Sequence, residues 1–96
     1  MNADQLLKSR REEILRLAAQ HGAYNVRVFG SVARRQQRDD SDLDFLIDLD
    51  PGRNLLDMGA LLEDLRELLN TPVDLVEARS LHPRIRAKVL AEAVPL

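Results

Sequence analysis

Ninety-six residues, 45% of them apolar and 31% charged, with a net charge of −2, predict one small folded domain spanning residues 1–96, whose modest core leaves no second unit to grip a large substrate. The lack of cysteine excludes disulfides and thiolate metal sites, while the mild acidity and the presence of only one Tyr and two Phe argue against direct nucleic-acid binding. No apolar run is long enough to cross a bilayer, and Met1-Asn2-Ala3-Asp4-Gln5 lacks the basic-then-apolar order of a secretory leader, so the expected location is cytoplasmic with no membrane partner.

In chain order, Leu7, Ile14 and Ala18 share one face of a first helix predicted from about Asp4 to His21, with Leu6, Leu15 and Leu17 at its edges and Gly22 as terminator. Arg10 and Arg11 project near the apolar stripe, where they can snorkel, pair with acids or meet another protein. Asn25 to Phe29 alternates and is rich in β-formers, which predicts a strand running into Gly30. A short helix follows from Ser31 to about Gln37. Asp42 to Leu49 is the second strand. Its parity puts Leu43, Phe45, Ile47 and Leu49 on a packing side, with Asp42, Asp44, Leu46 and Asp48 on the side of a site.

After the Asp50-Pro51-Gly52 turn, Leu55, Met58, Leu61, Leu62, Leu65, Leu68 and Leu69 form a helical stripe opposite Glu63, Asp64 and Glu67. Asn70-Thr71-Pro72 ends that helix, and Val73 to Glu77 reads as a third strand carrying Asp74. Residues from about Pro83 to Ala93 read as a last helix, with Pro83 in its first turn and Ile85 and Val89 facing inward. Val94-Pro95-Leu96 is either an edge strand or a frayed end. The fold class is therefore α/β (α+β): a small mixed sheet of three to four strands flanked by helices.

Two features carry chemistry. Gly30 permits close backbone approach, and the Ser31 hydroxyl with the amides of the helix start suits phosphate oxygens, with Arg34 one turn on adding positive charge. Asp42 and Asp44, two residues apart on a strand, present neighbouring carboxylates, the hard oxygen ligands that Mg²⁺ prefers. If the third strand lies beside the second, Asp74 joins them as metal ligand and proton acceptor for an incoming hydroxyl. Two Mg²⁺ ions about 4 Å apart stabilise the charge that develops when a hydroxyl attacks a nucleotide triphosphate. Each feature also has a plain structural reading: Asp-X-Asp at a strand start is common turn chemistry, and Ser31 can be an N-cap. His21 reads as a helix-end residue and His82 as a surface residue, neither with a ligand-spaced companion. The cluster Arg79, Arg84, Arg86 and Lys88 reads as a solvated face, or else as a docking surface for an acidic partner or RNA.

Gly30-Ser31, ten intervening residues, Asp42-Leu43-Asp44 and the later Asp74 resemble the active-site pattern of the DNA polymerase β-type nucleotidyltransferase superfamily. The Gly-Ser-Val-Ala-Arg turn, the Ser-Asp-Leu-Asp motif and the short length resemble its minimal nucleotidyltransferases, antitoxins paired with HEPN-domain toxins. That resemblance implies transfer of AMP from Mg·ATP to a tyrosine of a partner RNase toxin within a heteromeric complex. It implies Asp42, Asp44 and Asp74 as catalytic and metal-binding residues, with Gly30, Ser31 and, less directly, Arg34 at the triphosphate. It gives no ligand role to Asp39, Asp40, Asp48 or Asp50, which read as loop or solvated-face acids. Two other functions remain open: an antitoxin that acts by contact alone, and a small-molecule nucleotidyltransferase.

Overall fold

The first three helices gather on one side of the sheet because most of the apolar residues of both strand and helix point there. The computed structural model describes residues 3–30 and 43–96. In order, these form α1 (Ala3–Ser9), α2 (Arg11–Gln20), β1 (Ala23–Phe29), β2 (Leu43–Leu49), α3 (Leu55–Leu69), β3 (Val73–Glu77), a 3₁₀ turn (Ala78–Ser80), α4 (Pro83–Glu92) and β4 (Val94–Pro95). The sheet order is β3-β2-β1-β4; β1 runs antiparallel to β2 and β4, and β2 runs parallel to β3. This is the mixed α/β sheet expected from sequence, with four strands where three to four were expected. The Val94-Pro95 end is resolved as an edge strand, which Pro95 suits because its missing N–H costs no ladder bond there.

The core lies between α1–α3 and the sheet, with Ile14, Leu43, Phe45, Ile47, Leu61 and Leu65 almost wholly enclosed. Burying each such side chain contributes about 1.5–3 kcal/mol before the entropy of ordering it. No helix among the described residues is long and apolar enough to cross a membrane.

Several expectations need correction. The first helix is broken at Arg10 (φ −109°, ψ 10°), whose N–H still reaches the Leu6 carbonyl at 3.0 Å while the Ser9 hydroxyl donates to the same oxygen, a local side-chain bond of the kind serines make at helix ends. β1 begins at Ala23, before Asn25, because Gly22 (φ +75°) closes α2 and turns the chain directly into the sheet. Leu55 falls outside the α3 stripe and is 80% exposed, as is its neighbour Leu56 at 83%; the apolar run extends one turn beyond the sheet that it packs on. Ile85 is half exposed rather than inward, while Val89 is partly buried as expected. Leu46, assigned by parity to an open site face, is fully buried. It lies outside the helix-side core, as does buried Leu81, and the 3₁₀ turn packs on β2, so this part of the opposite face is covered too. The helix expected at Ser31 to Gln37 lies outside the described residues.

Candidate active site

Pairing register, which sequence cannot supply, assembles the acids. Asp44 of β2 lies opposite Asp74 of β3 in the parallel ladder and opposite Phe29 of β1 in the antiparallel one. Residues opposite one another share a face, so Phe29, Asp44 and Asp74 form one row across the sheet. Arg27, Leu46 and Val76 form the next row on that face. The face is thus acidic at the end where β2 and β3 begin, with Leu46 and Val76 behind the acids and Arg27 beside them on β1. Asp44 is half-buried and Asp74 exposed, so the row opens toward solvent at the β3 edge. One Asp74 oxygen accepts the Leu75 N–H at 3.0 Å, which restrains the carboxylate's orientation.

Gly30 follows Phe29 directly and has φ +74°, a conformation that favours glycine. A Cβ at this position would overlap the Asp44 carboxylate. The glycine therefore does two things at once: it turns the chain out of β1, and it clears space against an acidic side chain. Ser31, Arg34 and Asp42, the other site residues named from sequence, lie outside the described residues, as do Asp39 and Asp40. Among the described residues no three metal-ligating side chains gather, and two of the three acids named from sequence are brought together. Two carboxylates placed directly opposite on adjacent strands repel. That donor set and the cleared space beside it fit a divalent cation, which carboxylate oxygens bind and whose charge relieves the repulsion.

The remaining polar groups of the sheet and helix junctions are structural. Asp48 is not a solvated acid. A bulge between Tyr24 and Arg27, with Asn25 at φ +50°, turns Asn25 Nδ2 onto Asp48 Oδ2 at 3.0 Å and brings Arg27 Nη2 to 3.3 Å from the same oxygen. Arg27 Nε also donates to the Asn25 carbonyl at 2.8 Å. Asp50 is exposed, as expected. His21 ends α2 as predicted, and its Nε2 lies 2.7 Å from Asp64 Oδ2, tying α2 to α3. His82 is exposed and caps α4, its Nδ1 accepting the Arg84 N–H at 3.1 Å. Of the two early arginines, Arg10 pairs with Glu13 at 2.8 Å and Arg11 Nε donates to the Leu96 carbonyl at 3.0 Å. Sequence reasoning passed over Phe29 as a member of the acidic row; its alternation with core-facing Val26 and Val28 was legible, but only the register of β1 on β2 sets it beside Asp44.

The family model for polymerase β nucleotidyltransferases matches residues 12–96. The chain belongs to this family. As a member it is a nucleotidyltransferase, and its relatives carry names of that kind. A protein of Methanocaldococcus jannaschii, provisionally named a protein adenylyltransferase, is 36% identical over 84 residues, covering 88% of this chain and 90% of the relative. The protein adenylyltransferase MntA of Thermococcus cleftensis is 40% identical over 78 residues, covering 81% of this chain and 79% of the relative. A solved structure provisionally described as a minimal nucleotidyltransferase superposes with a TM-score of 0.89 at 52% identity, over 100% of this chain and 97% of that one. A crystal structure of a toxin–antitoxin pair with AMP-PNP shares the fold, with a TM-score of 0.75 at 22% identity over 88% of this chain and 69% of that one.

Proposed function

We propose that this chain is a Mg²⁺-dependent protein adenylyltransferase antitoxin, which transfers AMP from ATP to a hydroxyl of a partner HEPN-domain RNase toxin and so silences it. The observation that carries the reading is the juxtaposition of Asp44, Asp74 and Gly30 at one end of the sheet. The names of the relatives support protein as the acceptor class, and fold neighbours crystallised as toxin–antitoxin pairs support a toxin as the partner. The tyrosine acceptor follows from the family resemblance. The complex is heteromeric and cytoplasmic, and residues 1–96 act as one domain.

In this reading Asp42, Asp44 and Asp74 hold two Mg²⁺ ions, which when bound stabilise negative charge on the phosphate oxygens. Gly30 and the Ser31 hydroxyl admit and hold the triphosphate, and Arg34 adds positive charge beside it. The acceptor oxygen attacks the α-phosphorus. The bond from that phosphorus to the α,β-bridging oxygen breaks, and pyrophosphate leaves with the bonding electrons. A phosphodiester between the acceptor and AMP forms, and the hydroxyl proton passes to Asp74, whose oriented carboxylate suits a general base. Intact-mass spectrometry of the protein encoded beside this chain, after incubation with it, ATP and Mg²⁺, tests the reading. One or more AMP additions are expected with wild type and none with the Asp42→Asn, Asp44→Asn double variant. A stable complex that neutralises the toxin without any mass gain would instead favour an antitoxin acting by contact alone.

A further inference from the structure

The basic cluster that the reaction does not use sits on α4. β3 and β4 occupy opposite edges of the sheet, so the chain between them must cross it. Buried Leu81 and the 3₁₀ turn against β2 start that crossing on the side away from the helical core, the side that carries Asp44 and Asp74. None of the ten α4 residues is buried. Arg84, Ala87, Lys88 and Ala91 recur at helical spacing and are all exposed, flanked by Ile85 at 48% and Leu90 at 41% exposure. Arg84 and Lys88 stand one turn apart, about 6 Å along the axis, with the short alanines leaving room between and beside them. Among the described residues, no acid pairs with Arg79, Arg84 or Lys88, whereas Arg86 donates to the carbonyls of Arg79 and Leu81 and so pins the helix start. From Arg79 onward the chain carries four cations against one acid, although its overall charge is −2.

We infer that the exposed face of α4 is the docking surface for the acceptor protein, and that it receives an acidic helix with carboxylates one turn apart beside apolar residues. This inference rests on the proposed transfer to a protein. Charge complementarity selects an acidic partner, and the flanking Ile85 and Leu90 select protein over nucleic acid, which would call for aromatic platforms where α4 carries no aromatic residue. Docking here holds the acceptor on the same side of the sheet as the two carboxylates.

The test uses the full chain and the purified protein encoded beside it. An Arg84→Glu, Lys88→Glu variant is expected to raise the KM for that acceptor at least tenfold and weaken direct binding in biolayer interferometry to the same degree. It should leave kcat at saturating acceptor and the KM for ATP within twofold. The Arg84→Lys, Lys88→Arg variant should behave as wild type, and circular dichroism checks that both fold. An unchanged acceptor KM and affinity in the charge-reversed variant would overturn the inference. So would a gel shift of a 20-nucleotide single-stranded RNA that the reversal abolishes while acceptor binding survives. If wild type transfers no AMP, the proposed function fails by itself, and the binding comparison still decides the docking surface: a wild-type complex weakened by the reversal supports it, and a complex indifferent to the reversal, or none at all, overturns it.

Discussion

At Gly30 the left-handed backbone and the neighbouring Asp44 carboxylate both act against a side chain. Gly30→Ala is expected to cost about 1–2 kcal/mol from backbone strain, and the displaced Asp44 should cut AMP transfer far more than the lost stability would. A thermal melt read beside the intact-mass assay separates the two effects. Asp74 invites the opposite expectation for stability. Removing one of two facing carboxylates relieves roughly 0.2–1 kcal/mol of repulsion, so metal-free Asp74→Asn should melt at or above wild type. Wild type should gain stability from Mg·ATP, by about 2.7 kcal/mol at a hundredfold excess over Kd, and the variant should lose most of that gain. Melting curves with and without Mg·ATP, and after chelation, measure both. That these positions hold a turn glycine and acids near strand starts was legible in the sequence, because strand alternation and a Gly-Ser turn are local features. Their proximity was not, since β2 and β3 are separated by the whole of α3.

Among the elements, α3 has the most complete local instructions. Asn54 accepts the Leu56 N–H at 2.8 Å, Asp57 accepts the Asn54 N–H at 2.9 Å, and Asn70 ends the helix at φ +49°. Asn54→Ala should cost about 1 kcal/mol in urea denaturation. The Asn54 backbone N–H, and after it the Arg53 guanidinium, hold the Asp57 carboxyl below its ordinary pKa. A carboxyl depressed in the folded state contributes stability above its unfolded pKa and loses it as pH falls through the folded one. Asp57→Asn should therefore narrow the gap in denaturation midpoint between pH 7 and strongly acidic pH, and an unchanged gap would count against this role. By contrast, α4 carries little of its own stability, with nothing buried and its start held by the His82 cap, Pro83 and the Arg86 bonds to the Arg79 and Leu81 carbonyls. Sequence periodicity predicted its existence, yet placed Ile85 inward, because a helix with so little burial offers no strong face for periodicity to report.

For the whole molecule, the second face of the sheet is as consequential as the core. Leu46 is enclosed there, with Leu81 and the 3₁₀ turn against β2, so the crossing toward β4 depends on it. Leu46→Ala should cost about 2–5 kcal/mol, measurable by chemical denaturation, although parity alone would class the position as open. The His21–Asp64 pair between α2 and α3 is a further contact that joins distant parts of the chain. Nothing in the local sequence around either residue announces it.

The sequence by itself determined the kinds of element, most of their bounds, the mixed α/β class and that acids stand near the starts of β2 and β3, because periodicity, turn residues and strand parity are local properties of the chain. Only the tertiary structure decided which acids meet, which face of β2 is covered and that the Val94-Pro95 end joins β1. Those outcomes depend on strand order and register, which place residues thirty positions apart side by side, as they do Asp44 and Asp74.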